Sequence, residues 1–296
     1  MVISAETSKV WSAQGSTDAS ERTYRSVRAA LSKSDELSTL NVEVFLQGSY
    51  ANNTNTRGDS DVDVVVMLKS TYTPDTSRLS AAELANYERH WTPASTSADQ
   101  LRAMVQRALV AHYGASRVES KDKCLKIAGQ PGYVDADVVP ALQQRLFTKF
   151  PSDGRASWIE GTSIKPLSGG RIVNFPKEHR TNGEDKNAAS NGYYKPAVRQ
   201  VKQLRRAAVD RGLLSKKDAP GYLLECLVSN VPDSNFVYGD AERLARVISH
   251  LAAFTPSDLK LSMWSGDRVT RLFVNDPGQH DEFLSSRVLK TLKGLL

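Results

Sequence analysis

Two short segments constrain this chain more than anything else in it. Phe45-Leu46-Gln47-Gly48-Ser49 places a small-residue turn after an apolar run, and Asp61-Val62-Asp63-Val64-Val65-Val66 follows after a polar stretch. Side chains alternate faces along a strand, so Asp61 and Asp63 share one face while Val62, Val64 and Val66 take the other. At ~3.3 Å of rise per residue, the two Cα atoms lie about 6.5–7 Å apart. Carboxylates so spaced can hold hard, oxygen-seeking cations, with substrate phosphates completing the coordination shell. Gly48 lets backbone approach a phosphate closely, and Ser49 offers a backbone N–H and a hydroxyl.

Asp-x-Asp alone is common at solvated strand ends, and Asp59-Ser60-Asp61 also reads as turn chemistry. The combination is what points to nucleotidyl transfer: a strand, Gly-Ser, a short polar loop, then Asp between apolar residues. The totals are compatible with that reading. The chain has 296 residues, 40% of them apolar, enough for two cores or one large one. Cys124 and Cys226 lack Cys-x-x-Cys or metal spacing and read as reduced, buried thiols of a cytosolic protein. The start, MVISAETSKVW, lacks a cationic segment followed by an apolar run, and no apolar stretch reaches ~18 residues. Neither a signal peptide nor a membrane span is expected. A net charge of +6 favours polyanionic ligands without separating nucleotides from nucleic acid.

Periodicity predicts a helix over 20–38 with Val27, Ala30 and Leu31 inward, a strand Val42–Leu46, and a polar loop or short helical turn Tyr50–Arg57. A strand Asp61–Leu68 comes next. Helices follow at Ser80–His90, with Ser80 and Glu83 as a capping box, and at Asp99–Tyr113, ended by Gly114. Strands are expected at Arg117–Ser120, Cys124–Ile127 and Gly132–Leu142. The Pro- and Gly-rich stretch beyond Lys149 reads as a hinge. Helices are expected at about Tyr193–Asp210, Ala219–Val231, Asp240–Phe254 and Asp281–Leu295. The fold class is α+β and bilobal, with a mixed-sheet catalytic lobe at 1–160 and a helical lobe at 161–296.

In-line nucleotidyl transfer uses one metal on the triphosphate and one on the attacking hydroxyl, ~3.5–4 Å apart. A third carboxylate is needed to anchor the second ion. Tyr133-Val134-Asp135-Ala136-Asp137-Val138-Val139-Pro140 supplies Asp135 and Asp137. Both point to the same face, so parity leaves the choice open, as it does a solvated strand face with two acids.

These residues resemble the polymerase β-type nucleotidyltransferases. More narrowly, the chain resembles the CD-NTases, bacterial relatives of cyclic GMP-AMP synthase and oligoadenylate synthetase, with the pattern of clade E. Gln47-Gly48-Ser49-Tyr50-Ala51-Asn52-Asn53-Thr54 is typical of that group. So are Asn174-x-Pro176-x-x-His179 through Lys186-Asn187, and Tyr194-Lys195-x-x-Val198-Arg199. The likeness covers about residues 20–240. It implies the polymerase β-type fold with an oligoadenylate synthetase-like helical lobe, and two Mg²⁺ or Mn²⁺ ions. It further implies joining of nucleoside triphosphates (ATP, with UTP or GTP) into cyclic di- or trinucleotides for CBASS-type anti-phage defence. The third acid opens Asp-Val-x-Pro-Ala, here Asp137, leaving Asp135 to tune the site. Asp61, Asp63 and Asp137 are then the catalytic and metal-binding residues, and Gln47, Gly48 and Ser49 bind nucleotide.

On the helix Tyr193–Asp210, Lys195, Arg199, Lys202 and Arg206 fall within a ~60° stripe opposite Ala197, Val201, Leu204 and Ala208. By itself this is a solvated basic face. With the resemblance, Lys202 matches the lysine that binds the triphosphate, with Arg199 as a second phosphate contact. Ala219-Pro220-Gly221-Tyr222-Leu223-Leu224-Glu225 resembles the segment whose Ser-Tyr touches the donor nucleotide. Tyr222 keeps the aromatic ring, or is a core tyrosine; Gly221 replaces the serine. Asn174 either caps a loop or favours a pyrimidine base, since Asn presents both a donor and an acceptor.

The same site would serve transfer to a tRNA end or a protein hydroxyl, and a catalytically inactive nucleotide sensor is the remaining alternative. The chain lacks a zinc-ligand insertion and a lysine cluster long enough for a duplex platform. Activity is therefore expected without nucleic acid, from a monomer in the bacterial cytoplasm without membrane attachment, with a separate effector reading the product.

Overall fold

A computed structural model describes residues 3–15, 17–56, 61–90, 92, 94–274 and 280–296. Arg57, the end of the expected polar loop, and the Asp59-Ser60 part of the turn alternative lie outside them. The chain begins with α1 (Ala5–Ser12), α2 (Asp18–Ser32) and α3 (Asp35–Ser38), then β1 (Val42–Gln47) and the short α4 (Gly48–Ala51). Next come β2 (Asp61–Asp75), α5 (Ala81–His90), α6 (Ala98–Tyr113), β3 (Val118–Ser120) and β4 (Leu125–Ile127). The remaining strands are β5 (Asp135–Lys149), β6 (Ser157–Ile164) and β7 (Ile172–Asn174). Helices α7 (Pro176–Ala189), α8 (Tyr194–Asp210), α9 (Gly221–Ser229), α10 (Asp240–Ala252), α11 (Pro256–Ser262) and α12 (Glu282–Lys293) follow.

Two compact units result, each discontinuous in sequence. The sheet unit holds Thr17–Gln47 and Ser60–Lys177; the helical unit holds Met1–Ser16, Gly48–Asp59 and Glu178–Leu296. The single division expected at 160/161 therefore differs from these units. The reason is packing: α1 lies on α8 and α10, α4 touches α9, and β6 and β7 extend the sheet through residue 174.

Among the described residues, the sheet unit carries seven strands in the order β1-β2-β5-β4-β3, with β6 on β5 and β7 on β6. Among the described residues, β2 and β5 are the parallel pair and the other pairs are antiparallel, so the sheet is mixed. Val62, Val64 and Val66 are fully buried on one face, and α2 and α6 pack on β2 and β5. The aspartate face continues into an apolar patch of Val65, Met67, Val139, Ala141 and Ile164, flanked by Phe45 and Cys124. Ser80 and Glu83 cap α5 reciprocally, as their spacing predicts, and Ser97 with Gln100 does the same for α6.

The expected hinge beyond Lys149 contains two strands between its turns. β6 and β7 pair there, their polar and glycine-containing sequence carried by the ladder rather than by apolar alternation. Helices α1, α7 and α11 also have no counterpart in the periodicity reading. Each is short or weakly apolar and takes its stability from packing.

Candidate active site

The sheet register builds the centre of the site. Gln47 pairs with Asp63, Asp63 with Asp137, and Asp137 with Lys126, so four strands contribute one row of side chains on one face. Asp61 and Asp135 form a second carboxylate pair two residues away on the same face. Parity could not choose between Asp135 and Asp137, but their partners differ. Asp135 accepts from Lys126 Nζ at 2.9 Å and from the Gly129 amide at 2.8 Å. Those bonds hold its carboxyl below the usual range, the Lys126 contact contributing most. Asp137 instead has a buried Oδ1 with no hydrogen-bond partner.

Electrostatics single out the same row. Burial, then the charges of Asp137 and Asp61, push Asp63 up to about 7. Val65 and Val139 occupy the adjoining row and shut out water on that side. Burial also raises Asp137, against the opposing influence of the Cys124 thiol and Lys126. Burial and the Asp137 charge push the Cys124 thiol up to about 12, which leaves it neutral and poorly nucleophilic. An under-bonded carboxylate oxygen and a carboxyl that resists ionisation are both relieved by a divalent cation, for which these oxygens are suitable hard donors. Among the described residues, no three His, Cys, Asp or Glu side chains converge into a ready-made metal site.

The other expected binding residues, Asn174 excepted, belong to the helical unit. Gly48 adopts φ 71°, a left-handed conformation that releases the chain from β1 without Cβ strain. The Thr54 amide then donates to the Ser49 carbonyl at 2.9 Å. Lys202 and Arg199 are not on a solvated face: they are 6% and 9% exposed. Arg199 donates from Nε to the Ser12 carbonyl and from Nη1 to the Asn53 carbonyl, both at 2.6 Å. Lys202 Nζ lies 3.2 Å from Glu225 Oε2 and donates to the Thr54 carbonyl at 3.1 Å. The middle of the basic stripe is covered because α1 packs on α8 and the 48–56 segment meets Arg199 and Lys202, while Lys195 and Arg206 at its ends are half-buried.

Tyr222 is 44% exposed, while its hydroxyl end is buried beside Cys226 and Ser265, which raises the phenol well above its ordinary value. Its ring meets His179 edge-on at 5.4 Å. Asn174 lies in the sheet unit, not in a loop: it ends β7 opposite Thr162.

Lys126 and Glu225 were not foreseen as site residues. Lys126 stood in an expected strand, but sequence does not give strand order. Glu225 ends the Ala219–Glu225 segment, where only its acidic character within an apolar helix marks it.

Residues 181–289 match the family described as the cGAS/DncV-like nucleotidyltransferase C-terminal helical domain, and residues 26–96 match the nucleotidyltransferase domain. The chain is similar to a cyclic UMP-AMP synthase of Rhodothermus marinus, 36% identical over 289 residues spanning 96% of this chain and 94% of the relative. A cyclic dipyrimidine nucleotide synthase, CdnE, of Legionella pneumophila is 38% identical over 241 residues, 80% of this chain and 79% of the relative. The solved structure of R. marinus CdnE c-UMP-AMP synthase with Apcpp and Upnpp matches with a TM-score of 0.86 and 34% identity, covering 99% of this chain and 96% of that one. No helix among the described residues is long and apolar enough to cross a membrane.

Proposed function

This chain belongs to the cGAS/DncV-like (CD-NTase) family of nucleotidyltransferases, and from that premise we propose that it joins nucleoside triphosphates into a cyclic di- or trinucleotide, a second messenger of CBASS-type anti-phage defence. The observation that carries the reading is the register of β2 on β5, with Asp63 beside Asp137 and Asp61 on the same face. Its named relatives are cyclic nucleotide synthases, and CdnE enzymes among them agree with the clade E resemblance.

On this reading Asp61, Asp63 and Asp137 hold two divalent cations, Mg²⁺ or Mn²⁺. When bound, these neutralise the triphosphate and ease ionisation of the attacking ribose hydroxyl. Asp137 takes the hydroxyl proton as the new O–P bond forms and the bond to pyrophosphate breaks. Pyrophosphate leaves, the linear intermediate reorients, and a second transfer closes the ring. No covalent enzyme intermediate is required. Gln47, Gly48, Ser49 and Lys202 hold the donor, Arg199 ties down the loop that follows Gly48-Ser49, and Tyr222 offers its exposed ring to a base.

The two named relatives differ in the bases they join, so base choice rests on this chain's own residues. Asn174 is the candidate, and ATP with UTP the expected pair. The enzyme acts as a monomer in the bacterial cytoplasm without a nucleic-acid activator, and a separate effector reads its product.

The test is incubation with each triphosphate and with all four, under Mg²⁺ and then Mn²⁺, followed by phosphatase and mass spectrometry. A phosphatase-resistant cyclic product that disappears in Asp61→Ala/Asp63→Ala is expected. Product only on an added tRNA or protein would replace this reading, and a tenfold rate increase on adding duplex DNA or RNA would overturn activator independence.

A further inference from the structure

Glu225 is almost completely buried in α9, a helix otherwise dominated by apolar residues. An unpartnered carboxylate there would be costly, and this one is fully engaged. Its Oε1 accepts from Asn52 Nδ2 at 2.8 Å and faces His179 Nε2 at 3.1 Å. Its Oε2 accepts from Thr54 Oγ1 at 2.7 Å and faces Lys202 Nζ at 3.2 Å. The four partners come from three places in the chain: the loop behind Gly48-Ser49, α7 and α8. All belong to the helical unit.

The same ammonium closes a second circuit. Lys202 Nζ also reaches the Thr54 carbonyl at 3.1 Å and Thr54 Oγ1 at 3.2 Å. An ammonium has three rotatable N–H donors, so a phosphate oxygen that Lys202 reaches takes the place of one of these contacts while the others keep the ammonium in position. Thr54 Oγ1 donates to Glu225 and accepts from Lys202, so its proton has one place to go. The knot fixes the end of a loop whose first residues are Gly48 and Ser49. Gly266 completes the enclosure: a Cβ there would lie 2.5 Å from His179 Cδ2, so only glycine lets this backbone rest against the imidazole.

We propose that Glu225 is a positioning residue for donor-triphosphate binding, setting the 48–56 loop and the Lys202 ammonium in one arrangement through Asn52, Thr54 and His179. This rests on the nucleotidyl-transfer reading above and extends it to a residue that does not touch substrate. The carboxylate row lies in the other unit. Losing Glu225 therefore weakens triphosphate binding and leaves the chemical step of the saturated enzyme largely intact.

Glutamine keeps the shape of Glu225 but removes its charge and replaces one oxygen by an NH₂ group with two donors, which Lys202 has no means of accepting. The experiment compares wild type, Glu225→Gln, Thr54→Val and Glu225→Gln/Lys202→Met in the full chain. It measures KM and kcat for pyrophosphate release, melting temperature, and equilibrium binding of a non-hydrolysable ATP analogue. Glu225→Gln is expected to raise KM and the analogue's Kd at least tenfold with kcat within about threefold of wild type. Thr54→Val, which leaves the ion pair intact, is expected to raise both about threefold. The double variant should lose little beyond Glu225→Gln, because the two residues act as one unit. A merely structural Glu225 would lower melting temperature and kcat with KM unchanged, and that result overturns the proposal. So would analogue binding equal to wild type in both Glu225→Gln and Thr54→Val. If Glu225→Gln does not fold, Thr54→Val decides by the same criterion. Wild type that binds the analogue but releases no pyrophosphate under either metal counts against the enzymatic reading and leaves the Kd comparison to decide this one. Wild type that does not bind the analogue overturns both.

Discussion

Asp63 and Asp137 stand directly opposite each other in the parallel pairing of β2 with β5. The pairing places two carboxylates from segments far apart in sequence side by side on one face. Burial and mutual repulsion then keep Asp63 protonated to about pH 7 when no cation is present. The consequences of that juxtaposition are measurable.

Metal-free protein should lose stability as pH rises through the interval between about 4 and about 7. The ordinary value of Asp63 is 3.8 and its folded value about 7. The folded state therefore holds the proton more tightly than the unfolded chain, and stability falls with rising pH across that window. Thermal melts in chelator should show Asp63→Asn more stable than wild type at pH 8, with the advantage vanishing near pH 4. Mn²⁺ should raise the wild-type melting temperature at pH 8 and not that of the variant. A less stable variant at pH 8 would contradict the assignment.

Asp137 and Asp135 should separate under the same substitution. Asp137→Asn removes the under-bonded carboxylate and is expected to lower product formation at least ~10³-fold, the scale of losing a group that acts in the transition state. Asp135→Asn keeps an acceptor for the Gly129 amide and loses only the Lys126 ion pair. Its expected loss is within about tenfold. Comparable losses in steady-state assays would show that the register does not distinguish the two.

Gly221→Ser should be tolerated. A Cβ there meets Lys202 Cε at 3.6 Å and Nζ at 3.9 Å, ordinary contact distances. The added hydroxyl would sit within reach of the ammonium and restore the serine of the family segment. A several-fold fall in KM for the donor triphosphate is expected, with melting temperature unchanged. A rise in KM would mean that this helix start does not meet the donor.

Gly266→Ala should destabilise. The new methyl would lie 2.5 Å from the His179 ring, which Glu225 holds in place. Overpacking of this kind costs about 1–3 kcal/mol. For a chain of this size that is a fall of roughly 2–10 °C in melting temperature. An unchanged melt would show that the ring can move aside.

Much of the sheet unit was legible because its signals are local. Alternation in Asp61–Val66, the glycine after β1 and the Ser80/Glu83 spacing each depend on neighbouring residues and a fixed period. The strands over 151–174 were not legible: their glycines and polar residues mimic a loop, and only pairing with β5 makes them a ladder. Helix α1 was missed because eight residues form a stable helix only when a partner such as α8 covers them. Covering by α1 and the 48–56 segment also buried Arg199 and Lys202 in the middle of the apparent basic face of α8.

By itself the sequence determined which residues could do the chemistry. Asp61 and Asp63 share a face by strand period, and Gly48 frees the chain from β1. The family pattern distinguished Asp137 from Asp135 where parity left them equal. Tertiary structure decided which groups meet. Register set Asp63 beside Asp137 and Lys126 opposite Asp137, from where its ammonium reaches diagonally to Asp135, because pairing between distant strands is fixed by the whole sheet rather than by any one segment. Burial then changed what the charges do. It left Asp137 Oδ1 without a partner and gathered Asn52, Thr54, His179 and Lys202 around Glu225, since a carboxylate removed from water must replace every bond that water supplied.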